Sequence, residues 1–81
     1  MNARFDSLMI KLHARLAEIK VTDFSLFLSA VPDTCLLVMD GFVYRVCPDK
    51  CLEALEQFDV LDSDDPDYFN VVRMTIRAIT V

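Results

Sequence analysis

The segment Cys47-Pro-Asp-Lys-Cys51 gathers the most chemically able side chains of this chain: two thiols four residues apart with Lys50 between them. A thiol beside a lysine at the start of a helix is a setting in which the thiolate forms and reacts. His13, the single histidine, would have to serve as its base or as a further metal ligand. Structural zinc takes four nitrogen or sulfur ligands, commonly with a CxxC pair, and neither that spacing nor a second ligand pair occurs. Cys51 also falls on the apolar side of its own predicted helix, so a buried, inert thiol is expected. The three cysteines, Cys35, Cys47 and Cys51, are an odd number and do not make a disulfide framework.

Other chemistries fare no better. Ser7, Ser25, Ser29 and Ser63 stand in no elbow-like context, and with one glycine the chain has no loop to cradle a phosphate. The run Asp62-Ser-Asp-Asp-Pro-Asp67 invites a calcium reading. It lacks the glycine of an EF-hand loop, where Asp67 stands, and its twelfth position is Arg73 rather than glutamate. The expectation is a non-enzymatic protein with no metal and no cofactor.

Charge is more informative. The formal net charge is -5 and the sequence pI about 4.5, which disfavours direct binding to nucleic acid or to an anionic membrane. Eight carboxylates (Asp49, Glu53, Glu56, Asp59, Asp62, Asp64, Asp65 and Asp67) face Lys50 alone between positions 49 and 67. An acidic stretch of this kind steers encounter with a basic protein surface, such as a nucleic-acid-binding groove. Aromatic anchors would supply specificity, and Tyr68 and Phe69 adjoin the run. The candidate partner-binding set is therefore Glu53, Glu56, Asp59, Asp62, Asp64, Asp65, Asp67, Tyr68 and Phe69.

The element that organises the chain is a hairpin over residues 34–47. Asp40-Gly41 between two apolar, β-rich runs predicts a type I′ turn, because that turn needs φ > 0 at both central residues. Met39 then pairs with Phe42, Leu37 with Tyr44 and Cys35 with Val46, and Cys35 and Cys47 fall on opposite faces, against a bridge between them. From Asn2 to Lys20, Phe5, Leu8, Met9, Leu12, Leu16 and Ile19 recur at helical spacing. A second patch of mostly small residues on that helix, Ala3, Ile10, Ala14 and Ala17, is the candidate dimer contact. Residues 23–31 fit a strand or a short helix; a strand is favoured because Pro32-Asp33 turns into Cys35 and a third strand stabilises a hairpin. Residues 48–58 read as a helix. Residues 68–81, dense in β-branched side chains, read as a strand, with a helical alternative starting at Asp65-Pro66-Asp67.

The expected architecture is a single α+β domain over residues 1–81. A small antiparallel sheet centred on the 34–47 hairpin carries helices on one face, in the order α-β-β-β-α-β, and its other face, apolar around Leu36, Val38 and Val43, lacks a cover. A chain of 81 residues buries only about 60% of its unfolded surface, yet 54% of its residues are hydrophobic. The excess predicts a partner or subunit interface, hence a homodimer. No apolar run approaches the ~20 residues of a membrane span, and Met1 leads into an amphipathic segment rather than a signal peptide. A cytoplasmic protein is expected.

An opening amphipathic helix, a short strand and the Cys35-Leu36-Leu37-x-x-Asp40 hairpin resemble the first part of small acidic type III secretion chaperones. Those are dimers that hold an unfolded effector segment, and the resemblance covers residues 1 to 47. In size, acidity and class the chain is also similar to inhibitors that phages and mobile elements encode against host or defence complexes, including anti-CRISPR proteins. The leading reading is a dimeric viral-type inhibitor covering a basic surface; the alternatives are a chaperone-like holder of a partner segment and, on the cysteines alone, a thiol or metal-binding protein.

Overall fold

The computed structural model describes residues 3–59 and 64–81. Its elements are α1 (Ala3–Glu18), β1 (Phe24–Leu28), β2 (Cys35–Met39), β3 (Phe42–Val46), α2 (Pro48–Leu55) and α3 (Tyr68–Ala78). The three strands form an antiparallel sheet in the order β1-β2-β3.

Two tight turns set the register. Asp40 and Gly41 have φ of 53° and 79°, the positive pair that a type I′ turn demands. Met39, Leu37 and Cys35 accordingly face Phe42, Tyr44 and Val46, as expected. On the other side, the Thr34 N–H donates to the Val31 carbonyl at 3.3 Å, with Pro32 and then Asp33 (φ 61°) at the centre. Proline followed by a positive φ is the type II signature. Residues 24–28 are thus a strand, paired Leu26 to Leu37.

α1 ends by the hydrogen-bond pattern of a Schellman motif. The Val21 N–H donates to the Leu16 carbonyl (2.9 Å) and the Lys20 N–H to that of Ala17 (3.1 Å), with Lys20 at φ 70°. The accompanying apolar contact falls between Val21 and Leu16, both fully buried. α2 begins with Pro48 just inside its start, where a missing N–H costs nothing.

The last element corrects the expected order. Residues 68–78 are helical, so the sequence of elements is α-β-β-β-α-α. Tyr68, Val72 and Ile76 are buried and Ile79 packs against the core. That is a helical stripe, and its burial outweighs the weak strand preference of the β-branched residues.

The core lies between the helices and one face of the sheet. It joins Leu12 and Leu16 of α1, Leu37, Met39 and Val46 of the sheet, Cys51 and Leu55 of α2, and Val72 and Ile76 of α3. Side chains on the opposite face of the sheet remain open: Phe27 is 54% exposed and Val43 61%, as the two-faced hairpin requires.

Candidate protein-binding surfaces

The acidic segment is spread over α2 and the residues before α3. Glu53, Glu56, Asp59, Asp64, Asp65 and Asp67 are all exposed; Asp62 lies outside the described residues. Phe58 and Tyr68 meet edge to face, with centroids 5.9 Å apart, which draws residues 56–59 and 64–68 into one neighbourhood. Lys50 Nζ lies 4.0 Å from Glu53 Oε2, with both side chains in solvent, a pairing of little energetic weight. The Asp65 carboxylate accepts the Asp67 N–H at 2.9 Å, shaping the turn into α3.

The two aromatic anchors part company. Phe69 is 40% exposed and lies two residues after Asp67. Tyr68 is buried, and its hydroxyl donates to the Ile19 carbonyl at 2.7 Å. It is a core residue and offers no partner anchor. Adjacency to a charged run could not reveal which side of the helix it would take.

A second surface is the uncovered face of the sheet. Register places Ser25, Val38 and Val43 in one row and Phe27, Leu36 and Arg45 in the next. Leu36 and Val38 are half-buried by their neighbours, while Phe27 and Val43 stand free.

A third is a groove between α1 and β1, lined by Met9, Ile10, His13, Ala14 and Leu26. The His13 ring lies on Phe24, centroids 4.8 Å apart, and closes one wall. Ala3, Ile10, Ala14 and Ala17, the small-residue patch of α1, are all exposed. Only pattern could mark that patch in the sequence; the groove itself needs the juxtaposition of α1 with β1.

The thiols have a structural setting. All three cysteines are free. Burial pushes Cys51 up to about 12 and Cys35 up to about 11, reinforced in Cys51 by Cys35 and in Cys35 by Cys47. Both are therefore neutral thiols at physiological pH. Cys47 lines a cleft of about 290 Å³ with Arg4, Phe5, Leu8, Asp33 and Pro48, whereas His13 belongs to the α1–β1 groove. The structure does not bring that thiol and the imidazole together. Among the described residues no cluster of three or more His, Cys, Asp or Glu is placed to hold a metal ion, and no helix is long and apolar enough to cross a membrane.

No protein-family model, curated protein or solved structure matches this chain. The similarities carried by residues 1–47, and by size and acidity, therefore stand on sequence pattern alone.

Proposed function

We propose that this chain is a non-enzymatic protein-binding module that occupies a basic surface of a partner protein, in the manner of a small inhibitor. The observation that carries the reading is the acidic segment: every described carboxylate from Glu53 to Asp67 is in solvent, and Lys50 is the one cation between positions 49 and 67. Exposed like charges concentrated on one region raise the association rate with a surface of opposite sign and lose that advantage as salt rises. Phe69 supplies an adjacent aromatic contact.

Charge reversal at Glu53, Glu56 and Asp64, all exposed, tests the reading. The triple variant Glu53→Lys, Glu56→Lys, Asp64→Lys should keep the circular dichroism of the parent. It should fail to retain the partner that the parent captures at low salt from its native host, as identified by mass spectrometry. Retention of the same partner by both proteins would end the proposal.

A second reading has its own observation. Phe27 and Val43 on the uncovered sheet face suit a module that holds an apolar partner segment, as the chaperone-like class does. Binding of that type tolerates the triple reversal and salt, and fails when Val43 becomes lysine.

A further inference from the structure

The two edges of the sheet are treated differently. In a two-residue hairpin the residues flanking the loop exchange both backbone hydrogen bonds, so Met39–Phe42, Leu37–Tyr44 and Cys35–Val46 are the bonded pairs of β2 and β3. The amides of Val43 and Arg45 then point away from β2. That outer edge is engaged at Arg45: the Val81 N–H donates to the Arg45 carbonyl at 2.8 Å, and Arg45 Nε donates to the Val81 carbonyl at 3.1 Å.

The same parity applies to β1. Leu36 and Val38 turn their backbone groups toward β1 and bond to Phe27 and Ser25, their register partners, which leaves the N–H and C=O groups of Phe24, Leu26 and Leu28 directed outward. Among the described residues no hydrogen bond reaches any of them. Natural edge strands are commonly guarded by a charge, a proline or a bulge. β1 reads Phe-Ser-Leu-Phe-Leu and has none of these, and Leu28 is 73% exposed at its end.

We infer that β1 is a dimerisation strand, and that its occupant is β1 of a second copy of this chain, antiparallel about Leu26. Self-pairing follows from the strand itself. A two-fold axis at Leu26 sets Leu26 opposite Leu26 of the second copy, and Phe24 opposite its Leu28. Each outward N–H then finds an outward C=O, and two three-stranded sheets become one of six. The side of α1 that borders the edge agrees with this. Ile10, 71% exposed, and Ala14 line the groove beside Leu26, an apolar face that the second α1, brought alongside by the strand pairing, would cover. One symmetric contact thus covers both the apolar groove and the unpaired edge, whereas a lone foreign strand would satisfy the edge but bring no helix to cover Ile10. This interface goes beyond the acidic-surface reading and does not depend on it.

Sedimentation equilibrium of the whole protein over a wide dilution range tests the inference, beside two single variants at exposed positions, Leu28→Lys and Ile10→Lys. The parent should be a dimer, and each variant should raise the dimer dissociation constant about tenfold or more. Far-ultraviolet circular dichroism that matches the parent's would exclude unfolding as the cause. Hydrogen exchange supplies an independent reading: the amides of Phe24, Leu26 and Leu28 should be protected in the parent and exchange freely in Leu28→Lys. A parent that is monomeric at every concentration overturns the inference. So does a dimer that withstands both substitutions but dissociates with Val43→Lys, since the contact would then lie on the uncovered sheet face.

Discussion

The Tyr68 hydroxyl donates to the Ile19 carbonyl at 2.7 Å inside the core. Ile19 follows the last residue of α1, and its carbonyl is among those that the helix itself cannot satisfy. The first residue of α3 thus completes the end of α1 across 49 positions of sequence. Tyr68→Phe keeps the ring against Phe58 but leaves that buried carbonyl without its donor. Urea unfolding should show a loss of about 1–2 kcal/mol, with no change in the slope of the transition.

Arg15 performs a related service between α1 and α2. Its guanidinium donates to the carbonyls of Leu55 (3.1 Å) and Phe58 (2.5 Å) and pairs with Glu18 at 2.6 Å. Hydrogen bonds from a charged donor to half-buried carbonyls are worth about 1.5–3 kcal/mol. Arg15→Met, which keeps much of the aliphatic stem, should lower stability by about that amount, whereas Glu18→Gln should cost little because the Glu18 side chain is 64% exposed. Parallel denaturation curves of the two variants separate the carbonyl bonds from the surface ion pair.

Lys20 takes the left-handed position that closes α1, at φ 70°. A side chain there is strained by roughly 1–2 kcal/mol relative to a right-handed one, and glycine removes that strain at the cost of a more flexible unfolded chain. Lys20→Gly should therefore stabilise the protein by up to about 1 kcal/mol. Thermal unfolding at neutral pH measures it, and a fall in the midpoint would show that the lysine contributes something the turn geometry does not require.

The buried thiols predict an alkaline limit. Cys35 and Cys51 ionise at about 11 and 12 in the folded protein against 9.0 when solvated. A folded value above the unfolded one means that the folded state holds its proton more tightly. Their contribution is complete below pH 9 and is lost as pH rises through that value toward 11–12. Each thiol should steepen the decline by about 1.4 kcal/mol per pH unit in that window. Urea midpoints of the parent and of Cys35→Ala, Cys51→Ala between pH 7 and pH 10.5 test this. The double variant starts lower because of its cavities and should decline less steeply.

The sheet and the first two helices were legible because each is specified locally: Asp40-Gly41 by its turn, Leu12 and Leu16 by period, Pro48 by its place at a helix start. The segment after Asp67 was not. Val71, Val72, Thr75, Ile76 and Ile79 favour a strand when considered alone, and the helical stripe of Val72, Ile76 and Ile79 is rewarded only once α2 and Ile19 provide a surface to bury it against. The exposure of Glu53, Glu56 and Asp64 followed from charge. The burial of Tyr68 and the groove beside Leu26 depend on contacts between distant elements, which neither charge nor period encodes.

The three strands follow one another through tight turns, whereas the Arg15 bonds to Leu55 and Phe58 span 40 and 43 residues. Short loops close with little entropic search and long ones with more. The meander should accordingly form early, and the clasp of α1 onto α2 later, on the folding route. Damage at Asp40 or Gly41 would then be felt in the speed of acquisition of the native state, and damage at Arg15 in how long that state persists.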